Sequence, residues 1–141
     1  MLDIITKTQV CYLGMSKGNL PYVLPINFGF HDNTIYFHCA LKGEKIEILK
    51  DNPNICLVFN IDNKLINNVP QDDWSIYYKS VIVYGKIQFI KDITEKQEAI
   101  NIMFRHYEGI NYTLPKTVLE RTMFMKVKIE KMTGKQNILH D

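Results

Sequence analysis

The run from Ile76 to Lys91, IYYKSVIVYGKIQFIK, constrains the fold more than any other stretch. It is the longest β pattern in the chain. Gly85 in its middle predicts a bulge or sharp bend, of the kind a barrel uses to turn a corner. Five shorter runs share its character: Val10–Met15, Leu20–Phe30, Ile35–Ala40, Ile55–Ile61 and Met123–Met132. Eight tyrosines and seven phenylalanines fall largely in such runs, between turn residues, which favours β structure. Ser16-Lys17-Gly18-Asn19 and His31-Asp32-Asn33-Thr34 read as turns.

Two main helices are expected. Lys42–Asn52 buries Ile46, Leu49 and Ile48 and is stopped by Pro53. A second follows the Thr94-x-x-Gln97 capping box, with Ala99, Ile100, Met103, Phe104 and Tyr107 at helical spacing and Gly109 at C′. Residues 1–8 read as the end of a short helix, 62–75 as an irregular connection and 110–121 as containing one helical turn. Thr133-Gly134-Lys135 reads as a polar turn before a loose tail that includes His140. Strands dominate without βαβ alternation. The expected fold is therefore mainly β with α: one domain over residues 1–141, a closed six-stranded antiparallel barrel with flanking helices.

The formal charge of +2 gives no footing for nucleic acid, and 46% apolar with 23% charged residues is ordinary globular usage. Cys11, Cys39 and Cys56 stand alone in apolar runs, without disulfide or zinc spacing, so no metal is expected. No signal sequence or membrane-spanning run is visible, and the expected location is the cytoplasm.

The stretch Pro25–Lys45 holds the chemistry. Pro21 and Pro25 cannot donate to a ladder, so their strand is an edge, or is interrupted at Pro25 with main chain left free for a ligand. Alternation sets Ile35, Phe37 and Cys39 inward and Tyr36, His38 and Ala40 outward. Lys42-Gly43-Glu44-Lys45 then opens a helix. Main-chain N–H groups at a helix start, beside a lysine, suit a phosphate-bearing cofactor.

The ordered set PYVLPINFGF, IYFHCALKGEKIEIL, NPNICLVF, YYKSVIVYGKIQFI and KIEKMTGKQ resembles the split-barrel flavin-binding family. That family includes pyridoxamine 5′-phosphate oxidase and the nitroimidazole-resistance proteins, and the chain is nearer the latter branch. The resemblance implies a homodimer with two FMN molecules at its interface, with a small molecule as substrate or electron donor. It implies flavin contacts, many of them main-chain, at Leu24, Pro25, Ile26, Asn27 and Phe28. Phe37, His38 and Cys39 would line the same groove, and Lys45 would bind phosphate with Lys42, Gly43 and Glu44 nearby. Tyr78, Lys79, Ser80 and Val81 would add contacts, and Thr133, Gly134 and Lys135 would approach the partner's flavin. The chain departs from the family where Cys39 replaces a common serine and Lys79 a common arginine, and in a shortened N-terminal helix.

Each residue also has a plainer reading. His38 is the candidate proton donor, or a ring that packs on the flavin without doing chemistry. Lys45 and Lys79 are phosphate ligands or solvated charges. His106, with Arg105, offsets the end of a helix dipole. Cys39 packs, and Trp74 stacks on flavin or packs at a core or interface. The implied activity is FMN-dependent reduction of small aromatic or nitro compounds. The alternatives are a flavin-binding sensor or carrier without turnover, and a barrel that takes haem, a deazaflavin or nucleic acid instead.

Overall fold

A computed structural model describes residues 1–138. In chain order the elements are α1 (Leu2–Lys7), β1 (Val10–Lys17), β2 (Leu20–Asn27), β3 (Gly29–His31), β4 (Thr34–Ala40), α2 (Glu44–Asp51) and β5 (Asn54–Ile66). A 3-10 turn (Gln71–Asp73) precedes β6 (Ser75–Ile90), followed by α3 (Ile93–His106), α4 (Lys116–Glu120), β7 (Thr122–Lys128) and β8 (Lys131–Asn137). The expected tail residue His140 lies outside the described residues.

The sheet is antiparallel and has eight strands rather than six. Two expected strands each divide. Leu20–Phe30 breaks at Phe28 into β2 and β3. The closing run ends at Lys128, and a second strand resumes at Lys131. Thr133, Gly134 and Lys135 therefore lie within β8, paired to Ile82, Val81 and Ser80, and form no turn.

The hydrogen-bonded order β2-β1-β5-β6-β7-β4-β3 is open, not the closed ring expected. Its two end strands, β2 and β3, are neighbours in sequence. The chain itself, through Phe28, joins the two edges that hydrogen bonds leave apart. The Phe28 side chain is fully buried there, edge-on to Phe59 with centroids 5.0 Å apart.

β6 pairs with three strands: β5, then β8 up to Tyr84, then β7 from Ile87. Gly85 sits at that change of partner. It introduces no shift in the β5 register. A Cβ there would lie 2.6 Å from Val127 Cγ1 and 2.7 Å from the Lys128 carbonyl, so the corner requires glycine for close approach. The irregularity falls elsewhere, between Ile61 and Lys64 of β5, where Asp62 has φ 58°. β5 runs on to Ile66, so the irregular connection is shorter than expected.

The tight β3–β4 turn places Asp32 and Asn33 at φ 50° and 57°, the paired left-handed conformation that matches strand twist in two-residue hairpins. Inward residues of β1 and β4–β6, including Leu13, Ile35, Phe37, Leu57 and Val83, form the main core. A second core, with Ala99, Ile100, Met103 and Phe124, lies between α3, α4 and β7. β7 serves both: Phe124 faces the helices, while Met125 and Val127 face the barrel. The strand is thus covered on both sides at its start, not half-exposed throughout.

α3 is capped two residues before the expected box. The Asp92 carboxylate accepts from the Glu95 N–H at 2.9 Å. At its other end the Gly109 N–H donates to Phe104 O (2.7 Å) and the Glu108 N–H to Arg105 O (3.0 Å), a Schellman closure. The left-handed residue is Glu108 (φ 63°), with Gly109 one place beyond. Gly29 brings β3 onto α3 so closely that a Cβ would lie 2.8 Å from Met103 Cα. His106 lies with Arg105 in the last turn of α3, as expected, and also packs: its Nε2 is 2.6 Å from Thr8 O, and its ring lies 4.6 Å from that of Phe28.

Candidate functional site

A cleft of about 270 Å³ opens at the mouth of the barrel, lined by Tyr22 and Leu24 of β2, Cys39 and Ala40 of β4, and residues 42–46. It gathers the expected set Leu24, Cys39, Lys42, Gly43, Glu44 and Lys45. Gly43 is the N-cap of α2 at φ 148°, a conformation favouring glycine, and contributes no side chain to cover the first N–H groups. Those groups and two lysines make a cradle for a phosphate. Glu44 and Glu47 in the first turn satisfy the dipole in part, and Lys42 and Lys45 balance their charge.

The strand that walls the cleft, β2, is continuous through Pro25, which pairs with Tyr12. It is an edge strand and is not interrupted at that point. Leu24 is half-buried and points to the mouth, whereas Pro25 and Asn27 are exposed on the outer face. Ile26 and Phe28 are buried, so only their main chain can meet a ligand. The same holds for Phe37 and Val81, both fully buried.

Of Phe37, His38 and Cys39, the cleft takes only Cys39. Burial pushes its thiol up from the ordinary value, with the Lys45 ammonium acting the other way. His38 projects from the opposite face of β4, half-buried, 6.1 Å from the Phe124 ring. Burial, and secondly the charge of Lys45, lower its pKa from the ordinary histidine value and so favour the neutral ring.

A second group forms around β6 and β8. Ser80 pairs with Lys135 and Val81 with Gly134, and a cavity of about 360 Å³ is lined by Met1, Ile4, Ser80, Gly134, Lys135 and Gln136. Lys79 forms an exposed ion pair with Asp62 at 3.7 Å. No residue lines both this cavity and the barrel-mouth cleft. Trp74 is 47% exposed, held by a hydrogen bond from Nε1 to Val69 O (3.0 Å).

One residue was not singled out by sequence. Tyr107 read as a helix-face hydrophobe, but its hydroxyl is buried with no hydrogen-bond partner among the described residues. Burial raises its pKa, with the nearby Asn27 side chain and Phe28 main chain opposing. The hydroxyl thus lies in the polar neighbourhood of Asn27 and Phe28, beside the main chain expected to meet the cofactor. Only tertiary packing puts it there, and no spacing in the sequence signals it. Among the described residues no cluster of His, Cys, Asp and Glu could hold a metal, and no helix is long and apolar enough to cross a membrane.

An open antiparallel sheet closed through one residue, with a lysine-bearing helix start at its mouth, defines a split-barrel protein. Residues 1–136 match the family model described as pyridoxamine 5′-phosphate oxidase, and the chain belongs to that family. A search of curated proteins found no match. Among solved structures, it is similar to a candidate 5-nitroimidazole antibiotic resistance protein from Bacteroides thetaiotaomicron. The two share 34% identity over 94% of this chain and 80% of that one, with a TM-score of 0.85. The flavocytochrome Anf3 from Azotobacter vinelandii matches at 20% identity, covering 99% and 68% of the two chains, with a TM-score of 0.83. A FAD-binding protein from Mesorhizobium loti matches at 20% identity, covering 97% and 92%, with a TM-score of 0.73. The last two likenesses concern the fold alone.

Proposed function

We propose that the protein is an FMN-dependent oxidoreductase acting on small aromatic or nitro compounds in the cytoplasm, as a homodimer. The observation that carries this reading is the barrel-mouth cleft, where Lys42, Lys45 and the uncapped start of α2 meet the edge strand β2. Lys45 and Lys42 hold the phosphate, and main chain from Leu24 to Phe28 meets the ring system. When bound, the flavin supplies the chemistry of accepting a hydride from a nicotinamide or other donor and passing electrons on.

The dimer is supported by an apolar outer face. Val23, Tyr12 and Tyr84, on β2, β1 and β6, are each more than two-fifths exposed. A second copy covering that face would remove this surface from water. It would also allow Ser80, Gly134 and Lys135 of one copy to approach the cleft of the other.

The position of His38 favours a second reading, a flavin-binding sensor or carrier without turnover. His38 is outside the cleft and carries no carboxylate partner among the described residues. One experiment separates the two. Purified protein is titrated with FMN and, in parallel, FAD, then reduced with a nicotinamide donor with and without a nitroaromatic acceptor. Saturable FMN uptake with acceptor-dependent donor oxidation supports the oxidoreductase, and uptake without turnover supports the sensor. A folded protein that takes up neither flavin overturns both.

A further inference from the structure

We propose that a cavity between α2, the end of β6 and α3 is a second ligand site, for a small monocarboxylate with an apolar body. At about 440 Å³ it is larger than the barrel-mouth cleft and shares no lining residue with it. Its polar lining is three lysines, Lys50, Lys91 and Lys96, with no carboxylate. The rest is apolar: Leu41, Phe89, Ile90 and Met123.

Lys96 is the centre of the site. It is only 8% exposed, a rare position for a lysine. Its ammonium donates to Leu119 O (3.0 Å) and Thr122 O (3.1 Å). It also lies over the Phe124 ring, 5.9 Å from the centroid, so two carbonyls and an aromatic face surround it. The described residues supply Lys96 with no ion-pair partner. The nearest acids in sequence are committed elsewhere: Asp92 caps α3, and Glu95 pairs with Lys126. Asp51, beside Lys50, is exposed and does not line the cavity.

Carbonyl dipoles and a ring face stabilise this buried cation without a formal counter-charge, and an anion in the cavity would supply one. One buried ammonium flanked by two exposed lysines matches a single carboxylate. Phosphate is a poorer match, since Asp92 already occupies the adjacent helix start and leaves no free cradle of N–H groups. The apolar floor selects a ligand with a hydrocarbon or aromatic body over an inorganic ion.

The test is calorimetric titration of the full chain with octanoate and, separately, with inorganic phosphate. Both are run with and without saturating FMN. Saturable binding of one octanoate per chain is expected, with phosphate much weaker. Lys50→Ala/Lys91→Ala, two exposed positions whose loss leaves the core intact, should weaken octanoate by about tenfold or more. Its FMN titration should be unchanged, which separates failure here from failure of the flavin reading. Lys96→Met should abolish octanoate binding; should it unfold the chain, the double variant alone decides. Non-saturable binding, no effect of the double variant, phosphate binding as tight as octanoate, or competition between octanoate and FMN would each overturn the proposal.

Discussion

Replacing Gly29 by alanine tests the packing that holds α3 against the β2–β3 joint. The added Cβ would lie 2.8 Å from Met103 Cα, 2.9 Å from Met103 N and 3.0 Å from Met103 Cγ. Two of these three atoms are main chain of a fourteen-residue helix and cannot rotate away. Overpacking of this kind costs up to about 3 kcal/mol. Removing a glycine lowers the entropy of the unfolded chain, which returns up to about 1 kcal/mol. The net loss is about 2 kcal/mol, or roughly 6 °C in melting temperature for a domain of this length. Thermal and urea unfolding of Gly29→Ala should show it. Adding Met103→Ala should not restore stability, because the obstructing atoms belong to the backbone. Gly14→Ala is the control: its nearest obstacle is the Cys56 thiol at 3.0 Å, a side chain that can shift. Gly29→Ala melting within about 2 °C of the parent, or rescue by Met103→Ala, would refute the reasoning.

Lys45→Ala should weaken FMN roughly 10- to 100-fold by fluorescence titration, the loss of a charge-assisted hydrogen bond to phosphate. The same variant should raise the His38 pKa, because the Lys45 charge depresses it in the parent. An NMR titration should place the parent His38 midpoint below 6.5. Since folding lowers the affinity of His38 for its proton, its contribution to stability is complete above pH 6.5 and is lost as pH falls through the folded-state value. His38→Gln should flatten that part of the stability profile, measured by urea unfolding between pH 5 and 7. Asp92→Ala should cost about 1 kcal/mol in the same assay, while Thr94→Ala should cost far less, since the cap lies at Asp92.

Element type was largely readable because it is local. Runs of β-forming residues identified β1 and β6, alternation identified β4, and helical spacing identified α3. Partnership was not, because it is set by tertiary packing. Nothing in MFMKVKIEKMTGKQ says that the run changes partner near Ile129, or that Thr133–Lys135 continue as a strand on β6. The cap of α3 was misplaced because Thr94-x-x-Gln97 and Asp92-x-x-Glu95 are equally good local patterns, and the strand end at Ile90 decides between them. At the candidate site, the cluster from Lys42 to Lys45 was legible from spacing. The side of β4 that faces the cleft was not: period-two alternation separates His38 from Cys39 but says nothing of which face meets α2. Lys96 was not singled out by any local pattern, and its burial against α4 is a product of tertiary packing.

Pro21 and Pro25 stand four residues apart on β2, and so address the same side of an edge strand. Each lacks an N–H, so that rim is rich in carbonyl acceptors and poor in donors. A foreign strand seeking to extend the sheet would find alternate rungs missing. The fold can therefore leave this margin uncovered without inviting polymerisation.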